Sequence, residues 1–244
     1  MSKILLECCV GSVESAVNAE LGGAGRVELC AALELGGVTP SSAAIRLARE
    51  RIGIPLFVLI RPRGGDFHYS PLEVEVMKTD IAAARDLGAD GIVLGILRED
   101  GNVDVERTAE LIEAAGGASI TFHRAFDSTP DPLAALETLR ELGVNRVLTT
   151  GGARRAEEGL AGLGKLVEAA AGRIGILPGG GINHENCRQV VEQTGAREIH
   201  VGSAVCSAGP RQEASGLGPG GIETPAPGGE TDPESVRRLL DLLG

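Results

Sequence analysis

The sequence predicts an α/β fold, a single (β/α)8 TIM barrel in which residues 1–244 form one domain. Eight short apolar runs, mostly of β-branched residues, alternate with stretches rich in Ala, Leu and Glu. Strands that alternate with helical patterns at this spacing indicate βαβ units and a parallel sheet. Eight such units in one chain favour a closed barrel over an open doubly wound sheet. The predicted strands are residues 4–10, 26–30, 55–62, 91–97, 119–126, 146–151, 174–179 and 197–203.

Capping residues signal where helices begin. Ser70 at an N-cap, Pro71 at the first helical position and Glu73 at the third form a capping box. Asp104 before residues 105–115 and Asp131 before residues 132–142 predict two further helix starts. Glycines suited to a left-handed helix end stand at positions 22, 88, 116, 143, 172 and 195.

One long stretch interrupts the alternation after the eighth predicted strand. Residues 207–231 are rich in Gly, Pro, Ser, Thr and Glu, a composition that buries too little apolar surface to offset its ordering entropy. We therefore expect a long mobile loop there. A final helix should begin around Asp232 and Pro233 and end near Leu243.

The composition argues against several classes of partner. The net charge of −11 disfavours nucleic acid and anionic membranes, since both attract a basic surface. No apolar run approaches the ~18 residues that a membrane span requires, and the start lacks the apolar core of a signal peptide. Five cysteines in 244 residues do not make a disulfide scaffold. A cytoplasmic, reduced protein is expected.

The first two predicted strands both end in polar side chains that suit a functional site. In (β/α)8 barrels the active face is formed by the carboxyl ends of the strands and the loops after them. Because side chains alternate faces along a strand, Glu7 and Cys9 share one face, and Glu28 and Cys30 share another. If the strands are neighbours, one thiol and one carboxylate from each converge.

Cys9 and Cys30 are candidate metal ligands. Adjacent parallel strands lie ~4.8 Å apart, which brings two equivalent thiols within reach of one soft ion. Thiolates select Cu(I), for which two-coordinate binding is feasible, or Zn(II) with further ligands. The alternative is that both residues are buried cysteines that act as small hydrophobes. Cys8 should face the opposite side and pack under a helix.

Two arginines and two glycine-containing loops are candidate anion-binding groups. Arg61 and Arg63 can clamp a carboxylate or phosphate, although one of them is expected to pair with a carboxylate in the barrel mouth. Glycines after strands seven and eight let backbone N–H groups approach an oxyanion, as in many barrel phosphate sites. The alternative is that these glycines only serve tight turns. The candidate loop residues are Gly180, Gly181, Gly202 and Ser203.

Candidate proton-transfer groups stand on the same face. His123 with Asp127 is a candidate catalytic acid or base with an orienting carboxylate, although a strand-end histidine is more often a hydrogen-bonded fixture. Glu7 and Glu28 are the other catalytic candidates. Together with the anion-binding groups, these residues suggest an enzyme that acts on a small anionic or phosphorylated metabolite.

Specific motifs recur at these strand ends. Two of them are Ile-Arg-Pro-Arg-Gly-Gly-Asp-Phe at residues 60–67 and Thr-Phe-His-Arg-Ala-Phe-Asp at residues 121–127. With them, the chain from residue 4 to about residue 205 resembles the CutC family. The other segments that carry the resemblance are residues 6–10, 26–30, 36–41, 146–152, 178–182 and 198–200.

The resemblance implies a cytoplasmic (β/α)8 barrel with a role in copper homeostasis, assembled as a homodimer or a higher homo-oligomer. It also implies that Cu(I) binds to the strand-end cysteines, which here are Cys9 and Cys30. Two features depart from the family pattern. Gly11 stands where the family usually has Asp, and residues 207–231 do not follow the family's usual sequence.

Two function hypotheses therefore come from the sequence. The first is a copper homeostasis protein that binds Cu(I), with His123 or His200 near the ion. The second is a TIM-barrel enzyme for a small anionic ligand. Both use the same face of the barrel, and they are compatible in one cavity.

Overall fold

All eight predicted strands form in the computed structural model, which describes residues 4–207 and 229–244. The strands pair in parallel in the order β7-β6-β5-β4-β3-β2-β1-β8, and β7 and β8, at the two ends of this order, lie side by side, so the barrel is nearly closed. The predicted (β/α)8 barrel is confirmed. The strands are β1 (Leu5–Val10), β2 (Arg26–Leu29), β3 (Leu56–Leu59), β4 (Gly91–Leu94), β5 (Ser119–Phe122), β6 (Arg146–Thr149), β7 (Gly175–Pro178) and β8 (Glu198–Val201).

Eight α-helices surround the strands in the described ranges. They are α1 (Val13–Gly22), α2 (Ser42–Arg51), α3 (Pro71–Asp86), α4 (Val105–Ala115), α5 (Pro132–Glu141), α6 (Leu160–Ala170), α7 (Cys187–Thr194) and α8 (Pro233–Leu243). Three short 3-10 helices follow strands at the barrel mouth, at Leu33–Leu35, Arg124–Ser128 and Ser203–Val205. No helix of the described residues is long and apolar enough to cross a membrane.

The helix starts follow their capping residues. Ser70 and Glu73 form the capping box at the start of α3, and Asp104 caps α4. Asp131 caps α5, and Asp232 caps the final helix, which begins and ends as predicted. In each case a side-chain oxygen accepts hydrogen bonds from N–H groups that have no partner inside the helix.

One predicted helix end is displaced by a residue. The left-handed residue after α1 is Gly23, with φ of 97°, and Gly22 is the last helical residue. A Cβ at position 22 would lie 2.5 Å from Cβ of Val236 on α8. Glycine at position 22 therefore allows α1 and α8 to approach closely, which is a different role from ending the helix.

The observed strands are shorter than the predicted apolar runs because the runs continue into the loops. The third run extends to residue 62, but β3 ends at Leu59. Pro62 has no backbone N–H to donate to a neighbouring strand. The carboxyl ends of the runs therefore supply the loop residues at the barrel mouth.

The long loop predicted at residues 207–231 is described only at its two ends. Residues 208–228 lie outside the described residues. At the ends, Cys206 pairs with Thr231 in an isolated antiparallel bridge, and the Ser207 N–H donates to the Glu230 carbonyl at 2.9 Å. This bridge leads the chain directly into α8.

The main apolar core lies between the outer face of the strands and the helices, and Cys8 belongs to it. The inside of the barrel is different. A small apolar cluster of Cys30, Phe57, Leu59 and Val93, with Cys9 packed against it, is surrounded there by charged side chains. The polar interior of the barrel is where a site can form.

Candidate functional site at the barrel mouth

A cavity of about 140 Å³ opens at the carboxyl ends of the strands. Its lining includes Cys9 from β1, Cys30 from the end of β2, and His200 from β8. Arg61 and His123 line it from the ends of β3 and β5. The strand-end face predicted from the sequence therefore encloses a small space.

Cys9 and Cys30 meet diagonally across two neighbouring strands. β1 and β2 pair so that Cys9 lies opposite Glu28, which places Cys30 two residues further along. The two thiols lean toward each other, and their Sγ atoms are 3.7 Å apart. The structure thus brings the predicted pair of thiols together.

The two thiols hold their protons very differently. The hydrogen bond from Cys30 lowers the pKa of Cys9 to about 5 against the opposing effect of burial, and His200 adds to this effect. The same hydrogen bond, together with burial, raises the pKa of Cys30 well above its usual value. Cys8 is different, since burial raises its pKa and it lies in the outer core. The pair therefore favours one thiolate and one thiol.

A carboxylate stands next to the thiols. One side-chain oxygen of Glu28 and the Sγ atoms of Cys9 and Cys30 all lie within 4.8 Å of one another. Burial raises the pKa of Glu28 well above its usual value, and the nearby charge of Cys9 raises it further. Glu28 therefore favours its neutral, protonated form beside the thiolate.

His200 connects the two glutamates predicted at the site. Its Nδ1 lies 2.7 Å from Oε1 of Glu7, and its Nε2 lies 3.7 Å from Oε2 of Glu28. Burial opposes the charged ring, but hydrogen bonds with Cys9 and Glu7 raise the pKa of His200 well above its usual value. His200 therefore favours its protonated form between Glu7 and Glu28.

An ionic layer lies beneath the cavity, and the sequence analysis missed it. Arg26 hydrogen-bonds Glu7 through Nε, and its Nη2 lies 2.8 Å from Oε2 of Glu198. Arg146 Nε lies 3.4 Å from the same Glu198 oxygen. The Phe57 ring contacts both guanidinium groups, at 4.9 Å for Arg26 and 5.0 Å for Arg146.

This layer sets the charge of Glu7. Burial alone would raise the pKa of Glu7, but His200 and Arg26 lower it to about 2. The alternation of side chains could have identified Arg26, since it lies two residues before Glu28 on the same face of β2. The same rule relates Glu198 to His200 on β8.

The two arginines predicted to bind an anion occupy different surroundings. The Arg61 guanidinium donates to the carbonyls of Leu35, Gly37 and Gly65, at 3.1, 2.9 and 2.8 Å. It thereby fixes two loops at the cavity edge. Arg63 lies away from the cavity lining and pairs with Glu73 at 2.6 Å.

His123 and Asp127 do not form the predicted acid–base pair. His123 Nδ1 accepts a hydrogen bond from the N–H of Ala125 at 3.1 Å. The Asp127 carboxylate accepts from Thr149 Oγ1 at 2.5 Å and from the Thr150 N–H at 3.1 Å. The Asp127 carboxylate is thus held at the end of β6 and does not orient the histidine.

The glycine loops predicted to bind an anion have only part of the geometry of an anion site. Gly180 and Gly181 have positive φ angles of 92° and 79°, and the carbonyl of Gly180 accepts from the Ala156 N–H at 2.9 Å. Ser203 begins a 3-10 helix of three residues after Gly202. The role of these four residues in anion binding stays a prediction.

Comparisons with known proteins agree with this architecture. The model of the CutC family matches residues 4–205. The copper homeostasis protein cutC homolog of Mus musculus is 54% identical over 196 residues, which cover 80% of this chain and 72% of that protein. A CutC family protein of Xanthomonas axonopodis pv. citri is 44% identical over 246 residues and covers 98% of each chain.

A solved structure gives the same result. The CutC protein of Streptococcus agalactiae superposes with a TM-score of 0.78 and 37% sequence identity, over 82% of this chain and 98% of that chain. The family model matches most of the chain, and the sequence identity to these relatives is high. The chain belongs to the CutC family.

Proposed function

We propose that this protein takes part in copper homeostasis by binding Cu(I) between Cys9 and Cys30. The observation that carries the proposal is the 3.7 Å separation of the two Sγ atoms at the edge of a cavity. Relatives at 54% and 53% identity are named copper homeostasis proteins, which supports the choice of metal. Soft thiolate ligands favour Cu(I) among the common metal ions.

The separation of the sulfurs suits one shared ion. Metal–thiolate bonds of ~2.3 Å would place two sulfurs about 4.6 Å apart in a linear unit and closer in a bent one. The observed 3.7 Å is within reach of both arrangements, since a small rotation of either side chain separates the sulfurs further. A single ion between the two thiols therefore needs no movement of the backbone.

These groups fit Zn(II) less well than Cu(I). Structural zinc sites take four tetrahedral ligands, whereas the described group around both thiols adds one further ligand atom, from Glu28. His200 Nδ1 is already held by Glu7. A four-ligand zinc site would have to add His200 to Cys9, Cys30 and Glu28, and the raised pKa of His200 opposes loss of the proton that this requires.

The experiment is a competition titration of reduced, metal-free protein with Cu(I) against a chromogenic Cu(I) chelator. We expect one Cu(I) per chain, and loss of at least 100-fold in affinity for Cys9→Ser with Cys30→Ser. The control is Cys206→Ser, because Cys206 is half-buried, its Sγ donates to the Gly202 carbonyl at 3.7 Å, and it does not line the cavity. Wild-type affinity in the double variant would falsify the assignment.

The setting of the protein is part of the same proposal. We expect a cytoplasmic location, since the cysteines of the described residues are all free thiols and reduced thiols persist in the cytoplasm. We also expect a homo-oligomer, as the resemblance to the CutC family implies. Light scattering after size-exclusion chromatography measures the mass of the assembly. A mass equal to one 25.1 kDa chain at micromolar concentration would contradict the expected oligomer.

A further inference from the structure

The cavity has a second wall, formed at the end of β5 by His123 and Arg124. β5 lies half-way around the eight-stranded barrel from β1, so this wall is across the cavity from Cys9. Both side chains line the cavity. The wall carries hydrogen-bond donors, whereas the thiol side carries sulfur and carboxylate groups.

His123 has a fixed tautomer and an unused donor. Its Nδ1 accepts the Ala125 N–H, so Nδ1 carries no proton and the neutral ring must carry its proton on Nε2. The residue is only 6% exposed, and Nε2 is buried without a partner among residues 4–207 and 229–244. Leaving a buried donor without a partner destabilises the protein, and an acceptor bound in the cavity would remove that cost.

The orientation of the ring is enforced by its neighbours. A Cβ at Gly95, at the end of the adjacent strand, would collide with Cε1 and Nδ1 of His123. On another side the ring packs against Phe67, with centroids 4.9 Å apart. The imidazole is therefore held in place before any ligand arrives.

Arg124 is a positioned but only partly used cation. Its Nε donates to Oδ2 of Asp127 at 2.9 Å, and Thr149 and Thr150 hold that carboxylate in turn. The guanidinium lies over the backbone of Gly180, where a Cβ would come 3.5 Å from Cζ. Its terminal nitrogens have no hydrogen-bond partner in the described part of the chain, and the side chain is 45% exposed.

Arg61 is the third group at this wall that favours a bound anion. Arg61 is only 6% exposed, and three backbone carbonyls fix its guanidinium, so its positive charge stays at the cavity. Burial and this charge lower the pKa of His123 to about 3, which keeps the ring neutral and its Nε2 a donor. Each of these groups favours an oxygen that carries negative charge.

From these contacts we infer that His123 and Arg124 bind the carboxylate of a small organic acid inside the cavity. A planar carboxylate matches the fork of a guanidinium and can also accept from an imidazole N–H. A cavity of about 140 Å³ holds about four or five groups of water size, at ~30 Å³ each. An acid between acetate and lactate in size fits, whereas dianionic phosphate would bring a second negative charge toward Cys9 and Glu7.

The test is calorimetric titration of reduced, metal-free protein with acetate, lactate and inorganic phosphate in a buffer without carboxylates. We expect saturable binding of both carboxylates, weakened at least 10-fold in Arg124→Gln and in His123→Phe. The matched control is Arg98→Gln, an exposed arginine that pairs with Asp100 at 3.4 Å and does not line the cavity. This control should keep wild-type binding.

Three results would overturn the inference: no saturable carboxylate binding by the wild-type protein, equal loss in Arg98→Gln, or binding of phosphate alone. If His123→Phe does not fold, Arg124→Gln decides the outcome, because Arg124 is half-exposed and its loss leaves no cavity in the core. The inference goes beyond copper binding and does not depend on it. Cu(I) titration of Arg124→Gln should still give wild-type stoichiometry, so failure of one proposal is distinguishable from failure of the other.

Discussion

Cys9 and Cys30 differ in the proton that each holds before an ion arrives. The pKa of Cys9 is lowered to about 5, and that of Cys30 is raised well above its usual value. At neutral pH only Cys30 must therefore lose a proton when a metal binds to both sulfurs. Two ordinary thiols with pKa values near ~8.5 would lose two.

This asymmetry predicts the pH dependence of metal binding. Because higher pH favours loss of the single Cys30 proton, Cu(I) affinity should rise about 10-fold per pH unit between about pH 6 and pH 8. Two ordinary thiols would give about 100-fold per unit. Competition titrations at several pH values measure this slope, and a 100-fold slope would refute the proposed charge state of the pair.

Loss of Arg26 should destabilise the protein strongly. Arg26 is buried between Glu7 and Glu198, so Arg26→Met leaves the buried Glu7 carboxylate and the half-buried Glu198 carboxylate with less compensation. Breaking a buried ion pair typically costs 3–5 kcal/mol, and we expect about that decrease in the free energy of unfolding. The comparison is Arg98→Gln at an exposed pair, where little or no change in stability is expected.

Chemical denaturation of both variants measures the difference. Equal, small changes in Arg26→Met and Arg98→Gln would show that the ionic layer contributes little. Copper binding of Arg26→Met provides a second readout, since Arg26 contributes to the low pKa of Glu7, which in turn holds His200.

Among the elements, two glycines in helices have opposite roles. Gly22 at the end of α1 faces Val236, where a Cβ would lie 2.5 Å from the valine Cβ. Gly22→Ala should therefore destabilise the protein by about 1–3 kcal/mol through overpacking. A Cβ at Gly164 in α6 would meet only the Gln193 carbonyl, at 3.9 Å, so Gly164→Ala should stabilise by about 0.5–1 kcal/mol.

Thermal unfolding of the two variants checks this pair of predictions. A lower melting temperature for Gly22→Ala and a higher one for Gly164→Ala is the expected result. If both variants change in the same direction, the contact between α1 and α8 is not what requires glycine at position 22.

The elements were largely predictable because their signals are local. The capping box of Ser70 and the N-cap residues before α4 and α5 act within a few residues of the chain, and the structure confirms them. The role predicted for Gly22 is wrong because its contact with Val236 joins residues that are far apart in the sequence. The ends of strands depend on such distant partners as well.

The site was predictable only in part for the same reason. Alternation along β1 and β2 correctly directed Cys9 and Cys30 to one cavity. The pairing of His123 with Asp127 failed because closeness in sequence does not fix the direction of a side chain in a 3-10 helix. The role of Arg61 was hidden because its partners are backbone carbonyls, which no residue type reveals.

At the scale of the whole molecule, the charges inside the barrel make the stability of the protein depend on pH in the acid range. The pKa of Glu7 falls from 4.5 to about 2 on folding. A carboxylate with a depressed pKa contributes stability that is present above the unfolded pKa and is lost as the pH falls through the folded pKa. The contribution lost between about pH 5 and pH 2 is about 3 kcal/mol.

This predicts the behaviour of Glu7→Gln. The variant should be less stable than the wild-type protein at neutral pH, and the difference should shrink as the pH approaches 2. Urea denaturation at a series of pH values measures the two curves. A difference that stays constant over that range would show that Glu7 does not gain its charge stabilisation on folding.

The diagonal arrangement of the two thiols also bears on oxidative damage. An offset of two residues across neighbouring strands, at ~3.3 Å per residue and ~4.8 Å between strands, places the α-carbons about 8 Å apart. A disulfide requires roughly 4.4–6.8 Å between α-carbons. The sulfurs can therefore share an ion, but they cannot cross-link unless the strands shift. Oxidants should therefore not join Cys9 to Cys30 in a disulfide, and any oxidation at this wall has to act on each sulfur separately.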